Sequence, residues 1–218
     1  WSKYPLVRGA DTARAAIAGW LTRRYGLPDG MVDPDTMVIP VSGTREALFM
    51  VALAAVPERK NGEKPVVLMP NPFYQVYLGA AVTAGAEPVL VPADRQNGFL
   101  PNYAALPDDI LSRTALAYYC SPANPQGAIA PMETMKHLVE LARAHDFLLV
   151  SDECYSELYY GDAPTGAAEA CAALGDGNGN AMRNVVAMNS LSKRSSAPGL
   201  RSGFVAGDAD LIRRFARL

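Results

Sequence analysis

Short runs of consecutive apolar residues alternate along the chain with segments of helical periodicity. The clearest strand-like runs are PVVLMP, TALAYYC and FLLVSD, and helical segments such as TREALFMVALAAV and METMKHLVELARAHD lie between such runs. A strand that is apolar on both sides must be covered on both sides, and helices can supply that cover. The sequence therefore predicts an α/β fold of three layers, αβα, with a mostly parallel central sheet.

Sheets of this kind bind ligands beyond the carboxyl ends of their strands, so the residues that follow each strand are the candidates for a site. Five unusual stretches stand at these positions, at residues 42–44, 71–74, 121–127, 152–155 and 190–201. The last of them, SLSKRSSAPGLR, contains Lys193, Arg194 and Arg201 and no acid. Either it is a basic surface loop, or it holds an anionic ligand and reserves one lysine for chemistry.

Charge and composition exclude several classes of protein. The formal net charge of −2 opposes a nucleic-acid binder, which needs a basic face. No apolar run approaches the length of a membrane span, and no signal peptide is recognisable. Three cysteines without a CxxC pair, and only two histidines, disfavour both a disulfide scaffold and a Cys/His zinc site. We therefore expect no metal, no membrane and no nucleic acid, and a reducing, cytoplasmic setting.

Two separated stretches together predict a phosphate site. Gly43 and Thr44 begin a helix directly after a strand, where free backbone N–H groups and the helix dipole favour an anion. A plain turn capped by Ser42 or Thr44 explains these residues when they are taken alone. Ser190 and Arg201 are expected at the same sheet edge, and arginine offers a planar fork for two phosphate oxygens.

An amine and a carboxylate are expected near that phosphate. Lys193 lies among cations, which make an amine lose its proton more readily, and a neutral amine can attack a carbonyl group. A lysine on a basic loop can also be simply solvated. Asp152 ends an apolar run, where a carboxylate is costly without a partner, so it could cap a turn or pair with a protonated pyridine nitrogen. The neighbouring Glu153 should point the opposite way and is interpreted as structural.

Three further side chains could contact the same ring. Tyr155 and Asn124 could reach a phenolate oxygen of the ligand, although Asn124-Pro125 is equally a turn sequence. Tyr74 offers a flat face on which a pyridine ring could stack. These residues complete a hypothesis in which one aromatic, phosphorylated ligand is bound at a single edge of the sheet.

Five motifs carry a resemblance to a known family. In chain order they are VSGTREALF, NPFYQVY, SPANPQG, SDECYSELYYG and SLSKRSSAPGLRSGF. Their order and spacing are similar to those of the class I/II, fold-type I pyridoxal-phosphate-dependent aminotransferases, over nearly the whole chain. The residues of these motifs are most similar to those of the subgroup of bacterial N-succinyldiaminopimelate aminotransferases. The resemblance implies the large domain of the aspartate-aminotransferase-like fold and pyridoxal 5′-phosphate as the cofactor.

The resemblance also implies catalytic and ring-binding roles for matching positions. Lys193 would bind the cofactor covalently and then move the proton between the substrate Cα and the cofactor. Asp152 would pair with the pyridinium nitrogen. Asn124 and Tyr155 would bond the ring oxygen, and Tyr74 would stack on the ring.

The remaining implied roles concern the phosphate. Gly43, Thr44, Ser190 and Arg201 would hold it within one subunit. Tyr4 would reach the phosphate of the neighbouring subunit, which implies a homodimer with shared active sites. The position after Asn-Pro, usually Thr in the family, is Gln126 here, and we expect little consequence from that departure.

The implied reaction is transamination between an amino acid, with glutamate as the expected donor, and a keto acid. The subgroup implies N-succinyldiaminopimelate and N-succinyl-2-amino-6-oxopimelate as the pair, in lysine biosynthesis. Other class I transaminases, for aspartate, alanine or LL-diaminopimelate, share the cofactor residues, and a carbon–sulfur lyase is a remoter alternative. A cofactor-sensing domain of a transcriptional regulator, without turnover, is the alternative from a different class.

Family members are considerably longer than 218 residues. We therefore expect residues 1–218 to form the pyridoxal-phosphate-binding large domain of a longer protein, without its N-terminal segment and its C-terminal small domain. The arginine that grips the substrate carboxylate would lie in that small domain. The fragment alone is accordingly expected to be inactive.

Overall fold

One sheet of seven strands organises the chain, and the computed structural model describes residues 6–175 and 180–218. The strands are β1 (Val38–Val41), β2 (Val66–Asn71), β3 (Glu87–Pro92), β4 (Thr114–Cys120), β5 (Leu148–Asp152), β6 (Val185–Ser190) and β7 (Gly203–Gly207). They lie in the order β1-β7-β6-β5-β4-β2-β3. Strand β7 is antiparallel to both β1 and β6, and the other four pairings are parallel. The prediction of a mostly parallel sheet is therefore confirmed.

Helices lie on both faces of this sheet. They are α1 (Asp11–Tyr25), α2 (Thr44–Ala55), α3 (Gln75–Thr83), α4 (Asp108–Arg113), α5 (Met132–Ala144), α6 (Ala167–Leu174), α7 (Leu191–Arg194) and α8 (Ala209–Phe215). Short 3-10 turns span Arg95–Asn97, Tyr103–Ala105 and Pro198–Leu200.

Two hydrophobic clusters, one on each side of the sheet, make the three layers. Helices α1, α5 and α6 contribute to the first cluster, and α2, α3 and α8 contribute to the second. Every position of β4 is buried, and its successive side chains alternate between the clusters, with Tyr118 in the second and Tyr119 in the first. This double burial is the physical reason for the continuous apolar runs, and it confirms the predicted αβα arrangement.

The strand directions gather the candidate residues at one edge. Since β1 and β6 are each antiparallel to β7, they run in the same direction, and the carboxyl ends of β1, β2, β4, β5 and β6 lie at the same edge of the sheet. Strand β7 starts at that edge, where its first residue, Gly203, pairs with Ser190, the last residue of β6. The connection between them, residues 191–202, therefore begins and ends at two residues that are paired with each other in the sheet.

Within the ranges given above, no helix has both the length and the apolar character that crossing a bilayer requires.

Candidate active site

A cavity of about 500 Å³ opens at this edge of the sheet. Among the residues that line it are seven of the predicted site residues: Thr44, Tyr74, Asn124, Asp152, Tyr155, Lys193 and Arg201. They lie at or after the carboxyl ends of β1, β2, β4, β5 and β6, which are far apart in sequence. The convergence expected from the sequence is therefore present in the structure.

Asp152 lies at the buried end of the cavity and is only 5% exposed. Its Oδ2 accepts a hydrogen bond of 2.7 Å from the Tyr77 hydroxyl, and its Oδ1 accepts one of 3.2 Å from the backbone N–H of Cys154. Burial raises the pKa of Tyr77 well above its ordinary value, so the phenol stays neutral and donates its proton. The carboxylate is thus held in place by two donors, which offsets the cost of its burial.

Tyr77 was missed by the sequence analysis, although it lies within the NPFYQVY motif. Its ring is stacked on Tyr118, with 4.4 Å between centroids and an interplanar angle of 11°. Tyr74 meets Tyr77 edge to face at 5.8 Å. The sequence signal that could have found Tyr77 is its spacing: it lies three residues after Tyr74, on the same side of a helix.

Lys193 lies on α7, the single helical turn that follows β6, and its side chain is exposed to the cavity. The amine Nζ lies 5.9 Å from the centre of the Tyr155 ring. Tyr155 follows β5, the strand next to β6, and partial burial together with nearby thiol and carboxyl groups raises its pKa. At neutral pH its hydroxyl is therefore a proton donor rather than a phenolate.

The N-terminus of α2 forms another wall of the cavity. Gly43 occupies the N-cap position and has no side chain to bond the first N–H groups of this helix, so the turn capped by Ser42 or Thr44 is not formed. The Thr44 hydroxyl lies 3.0 Å from Sγ of Cys154. Free N–H groups and the helix dipole make this wall suited to an anion.

Arg201 lies against the same wall. Its guanidinium donates to the backbone oxygens of Ser42 and Pro198, at 3.3 and 3.2 Å, and forms an ion pair of 3.1 Å with Glu46. It packs so closely on Gly43 that a Cβ there would lie 2.8 Å from Cζ of Arg201. Any side chain at position 43 would therefore require the guanidinium to shift from this position.

Two of the predicted residues in the described part of the chain do not line the cavity. Gly43 lies directly behind the cavity wall. Ser190 is buried, and its hydroxyl caps α7 by accepting from the N–H of Ser192 and donating to the carbonyl of Ser202, each at 3.1 Å. Ser192, which the sequence analysis did not single out, lines the cavity instead. Tyr4 lies outside the described residues.

Arg45 is a second basic residue that the sequence analysis did not select. It lies in the first turn of α2 and lines the cavity. Its Nε donates a hydrogen bond of 2.6 Å to the Tyr74 hydroxyl, and this bond raises the pKa of the guanidinium. The bond fixes the direction in which the rest of the guanidinium points.

Glu153 faces away from the cavity, as the sequence predicted. Its carboxylate accepts hydrogen bonds from the Tyr25 hydroxyl at 2.7 Å, the Ala167 N–H at 2.8 Å and the Ser151 hydroxyl at 3.0 Å. Burial raises the pKa of this carboxyl above its usual range. Two adjacent acids thus have different environments, one at the cavity and one inside the opposite layer.

Comparison with known proteins is consistent with this geometry. Residues 1–218 match the family described as aminotransferase class I and II. An LL-diaminopimelate aminotransferase of Dehalococcoides mccartyi is 33% identical over 217 residues, which are 98% of this chain and 52% of that protein. The chain therefore spans about half the length of the curated relatives it matches.

Solved structures of aminotransferases also resemble this chain. A crystal structure of an aminotransferase from Neisseria meningitidis Z2491 superposes with a TM-score of 0.89 and 40% identity, over 99% of this chain and 53% of that one. The aminotransferase AspB from Helicobacter pylori 26695 has a TM-score of 0.86 and 38% identity, over 99% of this chain and 54% of that one.

Proposed function

Since the chain belongs to the class I and II aminotransferases, we propose that it forms the cofactor-binding part of a pyridoxal-phosphate-dependent transaminase. In the reaction, the α-amino group and α-hydrogen of one amino acid are exchanged for the keto oxygen of a 2-oxo acid. No oxidant or reductant is consumed. The observation that carries the proposal is that Lys193, Asp152 and Arg201 all open into one cavity.

The charged and polar residues of this cavity suit pyridoxal 5′-phosphate. At one wall, Gly43 leaves room for the Arg201 guanidinium beside the N-terminus of α2, which suits a phosphate. At the buried end, Asp152 is held by Tyr77 and offers a negative charge to a protonated ring nitrogen. When bound, the cofactor supplies an electron sink for the bonds at the substrate α-carbon.

The protein's side chains would then orient the ring and move protons. Asp152 keeps the ring nitrogen protonated, and Tyr74 provides an aromatic face. Asn124 and Tyr155 offer hydrogen bonds to the ring oxygen. Lys193 would hold the cofactor and would move the proton at the substrate α-carbon as general base and acid.

The phosphate would be bound at the N-terminus of α2 by Gly43, Thr44 and Arg201. Ser190 would hold the segment 191–202, which carries Lys193, by capping α7. The Ser190 hydroxyl would have to turn from Ser202 to reach the phosphate directly. Tyr4 of a neighbouring subunit would add a further hydroxyl. These assignments make the working unit a homodimer with shared active sites.

For the substrate, two candidates share the diaminopimelate skeleton. The motif wording favours the N-succinyldiaminopimelate pair, with glutamate as the donor, and the relative from Dehalococcoides mccartyi carries the name LL-diaminopimelate aminotransferase. Either assignment belongs to lysine biosynthesis. Assaying the full-length protein with keto acids that carry or lack the succinyl-amino tail would separate them.

We further propose that residues 1–218 act as the large domain of a longer cytoplasmic protein and that residues outside this range grip the substrate α-carboxylate. The free thiols of Cys120, Cys154 and Cys171 are buried and suit a reducing compartment. Residues 1–218 produced alone should therefore bind the cofactor but turn over substrate weakly or not at all.

The test is covalent capture of the cofactor on Lys193. Borohydride reduction of the full-length protein, followed by peptide mass spectrometry, should find the cofactor attached to Lys193. A Lys193→Ala variant should lose both the attachment and turnover, whereas Lys136→Ala, which changes a surface lysine of α5 paired with Glu133, should keep both. Turnover by Lys193→Ala, or capture on a different lysine, would overturn the proposal.

A further inference from the structure

We propose that Arg45 determines substrate specificity by binding an anionic group at the far end of the substrate, away from its reacting amino or keto group. This inference rests on the proposed transaminase function. It begins from the position of Arg45, which lines the cavity together with Lys193 and Asp152. The chemical class it selects is an amino acid or 2-oxo acid with a second carboxylate that has no ammonium group beside it.

One hydrogen bond and one ring contact orient the guanidinium of Arg45. Its Nε is bonded to the Tyr74 hydroxyl at 2.6 Å, and its Cζ lies 5.7 Å from the centre of the Tyr74 ring. In residues 6–175 and 180–218, neither terminal nitrogen of Arg45 has a hydrogen-bond partner, and no acid lies within ion-pair distance of it. An arginine fixed through Nε with two free terminal nitrogens is arranged to bind a carboxylate.

The other charges of the cavity already have roles. The guanidinium of Arg201 is paired with Glu46 at 3.1 Å and lies beside Gly43, where it is assigned to bind the cofactor phosphate. Asp152 is bonded to Tyr77, and Lys193 is assigned to the reaction. Arg45 is therefore the cation of the described cavity lining that neither the cofactor nor a neighbouring acid uses.

The location of Arg45 is also unfavourable for the helix itself. It is the second residue of α2, and a positive charge in the first turn opposes the helix dipole, which favours acids there. The next residue, Glu46, is an acid, but it is directed to Arg201 instead. Among the described residues this cation opposes the dipole and has no acidic partner, and an anionic ligand bound during function would explain its position.

The selectivity expected from Arg45 can be ordered by the charge at the far end of the substrate. Dicarboxylic substrates and succinylated amino acids carry an isolated far carboxylate and should be preferred. LL-diaminopimelate carries an ammonium group beside its far carboxylate and should be bound less well. Alanine and leucine carry no charge there and should gain nothing from Arg45.

The experiment compares the wild-type holoenzyme, in its full-length form, with Arg45→Gln, and uses Arg95→Gln as the matched control on the 3-10 turn Arg95–Asn97 outside the cavity. For 2-oxoglutarate, Arg45→Gln should raise KM by at least about tenfold, as expected for a lost charge-assisted pair, while KM for pyruvate changes much less. Arg45→Lys keeps the charge but not the planar pair of nitrogens, so its KM for 2-oxoglutarate should lie between those of wild type and Arg45→Gln. Arg95→Gln should behave as wild type.

Binding provides a second measurement that needs no turnover. Calorimetric titration with succinate, a non-reacting dicarboxylate, should give at least about tenfold weaker binding to Arg45→Gln than to wild type, with butyrate little affected. If the cofactor absorption band is missing from all proteins, the transaminase proposal is wrong. If the band is present but Arg45→Gln keeps the wild-type preference for 2-oxoglutarate and succinate, only the role of Arg45 is wrong.

Discussion

The guanidinium of Arg201 packs on the backbone of Gly43, across 158 positions of sequence, so closely that a Cβ at position 43 would lie 2.8 Å from its Cζ. Gly43 also has a φ of 94°, in the region that residues with a Cβ rarely adopt. One glycine thus meets two demands, because it gives α2 its entry angle and gives Arg201 its place beside the helix N-terminus. The proposed phosphate site depends on both.

Gly43→Ala should therefore damage the site and the fold together. Backbone strain and the clash with Arg201 should lower the free energy of unfolding by about 1–3 kcal/mol and weaken pyridoxal 5′-phosphate binding. Gly79→Ala is the control, since Gly79 lies inside α3 with open space around its Cα, and it should be neutral or stabilising by up to about 1 kcal/mol. Chemical denaturation and cofactor titration measure the two effects. Normal cofactor affinity in Gly43→Ala would contradict the assignment of this wall.

Glu46→Gln should strengthen cofactor binding. Glu46 competes with an incoming phosphate for Arg201, whose position is also held by the carbonyls of Ser42 and Pro198. Because both partners of the ion pair are about half exposed, stability should change by less than about 1 kcal/mol, while affinity rises by about two- to fivefold. Titration of the apoprotein with the cofactor measures this rise. Asp210→Asn, which breaks an exposed pair with Arg213, should leave affinity unchanged. Weaker binding in Glu46→Gln would show that Glu46 positions the arginine instead.

Tyr77→Phe should separate the support of Asp152 from simple packing. The variant removes the donor to Oδ2 and should cost about 1–3 kcal/mol of unfolding free energy, as well as altering the absorption spectrum of the bound cofactor. Tyr118→Phe also removes a buried hydroxyl, one that donates to the Leu48 carbonyl at 2.6 Å, so it should cost a similar amount of stability. Its cofactor spectrum should match that of wild type. Identical spectra for the two variants would argue against a role for Tyr77 at the ring.

Glu153→Gln should change how stability depends on pH. The folded-state pKa of Glu153 is raised by burial above its ordinary value of 4.5, so the folded protein binds this proton more tightly than the unfolded chain. As pH rises from about 4.5 through the folded pKa, the wild type should lose up to about 1.4 kcal/mol of stability per pH unit from this group. Glutamine has no such proton, so the variant should lack that decline.

The difference between the wild-type and Glu153→Gln denaturation curves, recorded across this pH range, isolates the group. Glu140→Gln changes an exposed glutamate of α5 and should leave a profile parallel to that of wild type. Parallel profiles for Glu153→Gln as well would mean that the carboxylate is ionised in the fold at no cost.

Much of the fold could be predicted from the sequence, because strands buried on both sides have a distinct apolar pattern. The positions of the buried strands β2, β4, β5, β6 and β7 follow from it, and so does the three-layer arrangement, whereas β1 and β3 are partly exposed. The reversed direction of β7 does not, since GFVAG reads as a strand in either direction. The four-residue helix α7 inside the lysine loop was also missed, because a single turn has no periodicity to detect.

The site was predictable where a residue's type reveals its chemistry, and less so where its role depends on contacts. Lys193 and Asp152, which both line the cavity, were selected because an amine in a basic loop and an acid at the end of an apolar strand both require explanation. Tyr77 and Arg45 were missed because an aromatic residue or an arginine on a helix is ordinary until its partner is known. For Ser190, sequence position could not show that its hydroxyl is used by its own loop.

The pairing of Ser190 with Gly203 has a mechanical consequence. Lys193 and Arg201 belong to one segment whose two ends are tied together by sheet hydrogen bonds, so the frame that spaces them is the ladder between β6 and β7. A slip of one residue in that ladder would displace the amine and the guanidinium relative to each other and turn the strand's side chains to the opposite layer. The register of β6 and β7 therefore sets the spacing between the amine of Lys193 and the guanidinium of Arg201.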